Sequence, residues 1–167
     1  MVFSSQIFLF IFLPLCILGA YLFRPDFRKY FLILASLAFF GWTGKKLLAI
    51  FFVFTIINYG MGLWQGKLRD NKGPSKKIAN WLVILFNVAF LLAFKYLPFF
   101  TNILGSITGS EILKIELPVL LGVSFFVFSA ISYQYDIYNH KIAPQKNIAD
   151  FLLYMSFFPK LLQGPIM

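Results

Sequence analysis

At 167 residues, 60% of them hydrophobic and only 13% charged, with a mean hydropathy of +0.80, the chain is too apolar for a soluble globular domain. It is read as an all-α, polytopic integral membrane protein. A net charge of +9 would suggest nucleic acid in a soluble protein. Here most basic residues stand in short loops between apolar runs without any DNA or RNA recognition motif, so they are topology signals facing anionic lipid headgroups.

The first apolar run, Ile7 to Phe23, has 17 uncharged residues, about 25 Å at 1.5 Å per residue. Pro14 is expected to kink it. The single cysteine, Cys16, lies inside this run and excludes an internal disulfide. No Lys or Arg precedes the run, whereas Arg24, Arg28 and Lys29 follow it, the pattern of a retained span rather than a cleaved signal peptide. Tyr30 to Thr43, with 14 residues, is short for a span unless Lys29 and Lys45 snorkel. Leu47 to Trp64 is a third run of 18 residues.

The segment Gln65 to Asn80 sets five basic residues, Lys67, Arg69, Lys72, Lys76 and Lys77, against Asp70, and carries Gly73 and Pro74 to break any helix. It is the strongest cytoplasmic marker. Trp81 to Leu104 is a fourth run, interrupted by Lys95. The loop Gly105 to Glu116, with Glu111 and Glu116 against Lys114, is expected to face outward. Leu117 to Tyr133 is a fifth run of 17 uncharged residues ending among tyrosines around Asp136, as at a membrane interface. Its Gly122 and Ser124 would let another helix approach closely. Phe151 to Met167 starts a sixth hydrophobic segment with Pro159, Lys160, Gly164 and Pro165.

Counting from the two marker loops puts the amino terminus outside and Gln134 to Asp150 inside. The Lys45 and Lys46 pair falls on the wrong side, outvoted by the larger basic loops. A segment with two prolines and a lysine at membrane depth needs neighbouring protein or water, so the six hydrophobic segments are expected to form an incomplete bundle.

One His, one Cys and six acids spread over separate loops make no metal-ligand cluster, and neither a nucleophile elbow, a P-loop nor a dinucleotide fingerprint occurs. Four polar residues in or beside apolar runs are candidates for lining a substrate passage. Asn58 is read first as interhelical glue and only second as a passage residue, and Lys95 either lines a polar passage or ends its helix and snorkels. Ser124 allows close packing, and Asp136 caps or pairs structurally if it does not touch substrate. His140, in YNHKIAP, is read as a solvated interfacial residue.

Several ordered stretches carry a resemblance: MVFSSQIFLFIFLPL at the start, SLAFFGW at Ser36 to Trp42, NYGMG at Asn58 to Gly62, FKYLPFF at Phe94 to Phe100, LGVSFFVFSAISYQYDIY at Leu121 to Tyr138 and FLLYMSFFPKLLQGPI at Phe151 to Ile166. Together they resemble the membrane-bound O-acyltransferase family, in the branch that includes the alginate O-acetylation membrane protein. The resemblance covers essentially the whole chain as the amino-terminal part of one domain. It implies transfer of an acyl group, often acetyl, from a cytoplasmic donor such as acetyl-CoA to hydroxyls of an exported polysaccharide, with no bound cofactor. It also implies a remaining carboxy-terminal region or complementary chain, and an extracytoplasmic acetylation protein as partner. The family's catalytic histidine belongs to a later hydrophobic segment, so that role is not carried onto His140. Lys160 replaces a residue often Gln, and Pro118 stands farther from Gly122 than the family pattern. Alone, residues 1–167 are expected to be inactive. The alternatives are a non-catalytic scaffold, half of a split enzyme, or a small-solute transporter, the last without an inverted repeat to support it.

Overall fold

The computed structural model describes residues 8–43, 45–70, 73–96 and 123–157. Among these residues every regular element is helical. A π-turn at Phe8–Phe12 leads into α1 (Leu13–Leu22), followed by α2 (Pro25–Thr43), α3 (Lys45–Leu68), α4 (Pro74–Lys95), α5 (Val123–Tyr138) and α6 (Ile148–Ser156). The expected outward loop Gly105 to Glu116, the helix start around Pro118 and Gly122, and the segment holding Lys160 and Gly164 lie outside the described residues.

The helices depart from the apolar runs in informative ways. Pro14 sits at the start of α1, directly after the π-turn. Proline clashes with the carbonyl four residues back, and the wider i→i+5 winding relieves that clash, so the expected kink takes the form of a π-turn. The broad basic loop shrinks, because α3 runs on to Leu68 and α4 begins at Pro74. Lys76 and Lys77 belong to the first turn of a helix, since Gly73 is its extended N-cap and Pro74 occupies N1, where a missing N–H costs nothing. The fourth run ends its helix at Lys95.

Two helices, α3 over Leu48–Leu68 and α4 over Pro74–Lys95, are long and apolar enough to cross a membrane. The 22 residues of α4 extend about 33 Å. Much of their apolar surface faces outward: Val53, Ile56 and Trp64 on α3, and Ile78, Trp81, Leu82, Leu85 and Leu92 on α4 are exposed. Contiguous apolar surface of this kind is costly in water and neutral in lipid.

The chain forms two compact units, and α3 contributes to both. The first comprises residues up to Gly60 together with Gln145 onward. Here α1 packs on α2 around buried Cys16 and Phe39, with Phe12, Leu13 and Ala35 against them. Gly19 lies so close to the Phe31 ring that a Cβ would collide with it. Helix α6 packs on α2, joined by an ion pair from Lys29 Nζ to Asp150 Oδ1 at 3.2 Å. Asn147 caps α6, its Oδ1 accepting from the Ala149 N–H at 2.9 Å. The Tyr59 ring stands 5.6 Å from that of Phe151, and its hydroxyl donates to the Lys146 carbonyl at 2.6 Å.

The second unit, Met61 to Pro144, is built on α4 against α5. On α5 the buried residues Val123, Phe126, Val127, Ala130, Tyr133, Gln134 and Ile137 recur every three to four positions, one helical face. The facing stripe on α4 is Ala79, Asn80, Val83 and Asn87, and the Phe90 ring meets Phe126 edge-on at 6.4 Å. The end of α3 joins through small residues. A Cβ on Gly62 would come within 2.8 Å of the Tyr133 ring, and one on Gly66 would overlap the Pro144 ring.

Candidate functional site

Polar side chains inside apolar helices have to find partners, and most do so within their own helix. Thr55 Oγ1 donates to the Phe51 carbonyl at 2.8 Å, Asn58 Nδ2 to Phe54 at 3.1 Å, Asn87 Nδ2 to Val83 at 2.9 Å and Ser129 Oγ to Phe125 at 2.9 Å. All four bonds run one turn back. One bond joins two helices: in the second unit, Gln65 Nε2 on α3 donates to Asn80 Oδ1 on α4 at 3.0 Å, both residues buried. Gln65 and Asn80 stand in the segment read from sequence as a loop. Two amides one to two turns inside the facing ends of an apolar helix pair were the available signal.

Of the four sequence-derived site residues, Asn58 falls in the first unit and Lys95, Ser124 and Asp136 in the second. Asn58 is fully buried on α3 in the first unit. Lys95 is exposed at the end of α4, with Nζ 5.5 Å from the Tyr96 ring centroid. Ser124 is half-buried near the start of α5 and Asp136 half-buried near its end, about 18 Å apart along one helix. Asp136 Oδ1 faces Lys141 Nζ at 3.5 Å. These placements leave the passage role of each open.

What the fold does gather is a groove in the second unit, about 500 Å³, lined by Arg69, Asp70, Gly73, Lys76, Lys77, Tyr138 and His140. It brings the α3–α4 turn against the end of α5. The way α5 stops makes this possible. The His140 N–H bonds to the Ile137 carbonyl at 3.1 Å and the Lys141 N–H to the Asp136 carbonyl at 2.9 Å, a Schellman arrangement with His140 in the left-handed position at φ 60°. Glycine or asparagine usually occupies that position, and another residue costs about 1 kcal/mol. The imidazole in return meets two groups of the α3–α4 turn. Its Nε2 lies 2.9 Å from Lys76 Nζ, and its Nδ1 lies 3.8 Å from Asp70 Oδ1.

An ammonium has only protons to offer, so Nε2 accepts and the ring proton sits on Nδ1, toward Asp70. Lys76 Nζ also lies 4.8 Å above the Tyr138 ring. Arg69 is held from both sides, with Nε 3.5 Å from Asp70 and Nη1 donating to the Ile142 carbonyl at 3.3 Å. Among the described residues no cluster of three or more His, Cys, Asp or Glu is arranged for a metal. The groove's chemistry is cationic, suited to holding an anion.

Among the described residues, fold and site together comprise helices only, two of them fit to cross a membrane, with a basic groove at one end of that pair. Comparison with known proteins makes this specific. The probable alginate O-acetylase AlgI of Pseudomonas putida is 35% identical over 175 residues, a match covering 100% of this chain and 35% of that protein. The protein of the same name from Pseudomonas aeruginosa is 33% identical, over 100% of this chain and 33% of its own length. A peptidoglycan O-acetyltransferase of Helicobacter pylori is 30% identical over 197 residues, covering 99% of this chain and 37% of the relative. The chain is thus similar, along its whole length, to an amino-terminal portion of the alginate O-acetylation branch of the membrane-bound O-acyltransferases. It spans about a third of the length of the curated relatives it matches. No protein-family model matches it, and no solved structure matches it significantly.

Proposed function

We propose that this chain forms the amino-terminal part of a multi-pass membrane O-acyltransferase, a single domain that transfers an acetyl group to hydroxyls of an exported polysaccharide. The observation that carries the reading is the full-length similarity to relatives named for two different polymers, alginate and peptidoglycan, and for the same O-acetyl transfer. A shared reaction on unlike acceptors ties the common sequence to the transfer step rather than to one polymer.

In that reaction the acceptor hydroxyl oxygen attacks the thioester carbonyl of a cytoplasmic donor such as acetyl-CoA, its proton passes to a base, and the thiolate leaves. The base is the histidine that the family carries in a later segment. This chain's part is to form the wall of a protein-lined passage through the bilayer, with the amino terminus outside. Asn58, Lys95, Ser124 and Asp136 remain the candidates for polar contact along it. The carboxy-terminal region completes the bundle, and an extracytoplasmic acetylation protein receives or presents the substrate.

The reading is tested by deleting the gene in its host and quantifying ester-linked acetate on exported and cell-wall polysaccharides by proton NMR. Loss of acetate, restored by the full-length gene but not by codons 1–167 alone, is expected. Unchanged acetylation in the deletion strain would overturn it.

A further inference from the structure

Arg69, Lys76 and Lys77 all line the groove at the end of α5, against the single carboxylate of Asp70. Among the described residues, and leaving His140 aside, the lining sets three cations against one carboxylate. Two of the cations are held in place before any ligand arrives: Lys76 by the His140 ring at 2.9 Å and the Tyr138 face at 4.8 Å, Arg69 by Asp70 and the Ile142 carbonyl. Those contacts take Nε and Nη1 of the guanidinium, so its remaining N–H groups are the ones an anion would engage. Preorganised cations lose little rotamer freedom on binding.

We propose that this groove is a phosphate-binding site, in which Arg69, Lys76 and Lys77 take the phosphate oxygens and His140 and Tyr138 act as positioning residues for Lys76. A phosphate presents three or four oxygens in a tetrahedral arrangement, which suits three cations arriving from two elements better than the two coplanar oxygens of a carboxylate. The α4 amides beside the groove have no side-chain cap, since Gly73 is the N-cap and the first turn holds no acid, so nothing local competes with the ligand there.

The exposed tryptophans set the level of the groove. Trp64 lies about one turn before Lys67 on α3, Trp81 about one turn after Lys77 on α4, and both are exposed. Indoles on apolar helices mark the edge of the hydrocarbon layer, which puts Arg69, Lys76 and Lys77 at the depth of lipid phosphates. The phosphate therefore comes either from an anionic headgroup or from a soluble phosphorylated molecule reaching the same plane. The site does not depend on the acyl transfer proposed above, and its test reads binding rather than transfer.

The test uses the full-length protein in a neutral maltoside detergent, titrated separately with dihexanoyl phosphatidic acid and with inorganic pyrophosphate while the unfolding midpoint is followed by tryptophan fluorescence. A saturable rise in midpoint is expected. It should weaken by about tenfold or more in affinity in Arg69→Gln/Lys76→Gln, which removes two charge-assisted contacts. It should be unchanged in Lys67→Gln, a charge loss outside the groove.

His140→Gly separates positioning from architecture. Glycine suits the left-handed position, so the midpoint without ligand should hold or rise while the affinity for the probe falls. A response to the lipid alone identifies a headgroup site, and a response to both identifies a site for the phosphate itself; either supports the proposal. No saturable shift with either probe, or wild-type affinity in the double variant, would overturn it, and wild-type affinity in His140→Gly would overturn the positioning roles.

Discussion

The two units of this chain solve the same packing problem with different chemistry. In the first, helices meet through aromatic and aliphatic surface, with Cys16 against Phe39 and Tyr59 against Phe151; its ion pair, Lys29 with Asp150, and its Asn147 cap sit at helix ends, while Thr55 and Asn58 bond back within α3. In the second, small residues again admit a ring, as Gly19 admits Phe31 in the first, but a buried amide pair between α3 and α4 and a basic turn folded against the end of α5 are added. A partly exposed ion pair can be lost with little consequence. A glycine against a proline ring, or an amide whose partner is buried, cannot, and the unit built that way carries the groove.

The sharpest way to break this contrast is at α3, whose glycines differ in surroundings. Gly66→Ala drives a methyl into the rigid Pro144 ring, and a cost of about 1–3 kcal/mol is expected. Gly62→Ala should cost less, because the Tyr133 ring can rotate away. Gly60 has open space around its Cβ position, and Gly60→Ala should raise stability by about 0.5–1 kcal/mol through helix propensity alone. Thermal unfolding of the three variants in one detergent checks the order, and equal effects would mean that the close approaches do not matter.

Next is the amide pair. Gln65→Leu leaves the Asn80 carbonyl without its buried donor, and about 1 kcal/mol should be lost, within the range for interhelical bonds in membranes. Replacing both by leucine should cost less than the sum of the two single changes, since no orphaned group remains. An additive double-variant cycle would show that the bond is not energetically coupled.

The first unit should respond more mildly. Asn147→Ala removes the α6 cap and should cost about 1 kcal/mol, with hydrogen exchange accelerating at the first-turn amides before anywhere else. Asp150→Asn should cost only about 0.2–1 kcal/mol, because the Lys29 and Asp150 side chains are 30% and 38% exposed and water screens their pair. The difference from wild type should shrink further in high salt. A larger loss in Asp150→Asn than in Gly66→Ala would reverse the ranking of the two units.

Much of the helical layout was legible from local chemistry. The apolar runs locate α1 to α5, and the Lys95–Tyr96 step marks where α4 stops. Helix ends were less legible where polar residues extend a helix beyond its apolar run. Lys67, Lys76 and Lys77 are good helix formers despite their charge, so hydropathy alone drew the basic loop too long. Gly73 and Pro74, taken as breakers, are the start of α4. Each of the four passage candidates was visible as a polar residue near apolar sequence, whereas the groove around Arg69, Lys76 and His140 was not, because its lining comes from segments far apart in the chain.

Composition and pattern determined by themselves that this chain is helical, apolar on most faces, basic in its turns, and similar from end to end to membrane O-acetyltransferases, because those properties depend on residue type, short-range spacing and ordered motifs. Only the tertiary structure decided that Gln65 meets Asn80, that Gly66 must stay small for Pro144, and that His140 reaches back to Lys76 across 64 positions of chain. Such contacts depend on how one helix lies against another and on how α5 turns at its end, and no periodicity within a single segment encodes either.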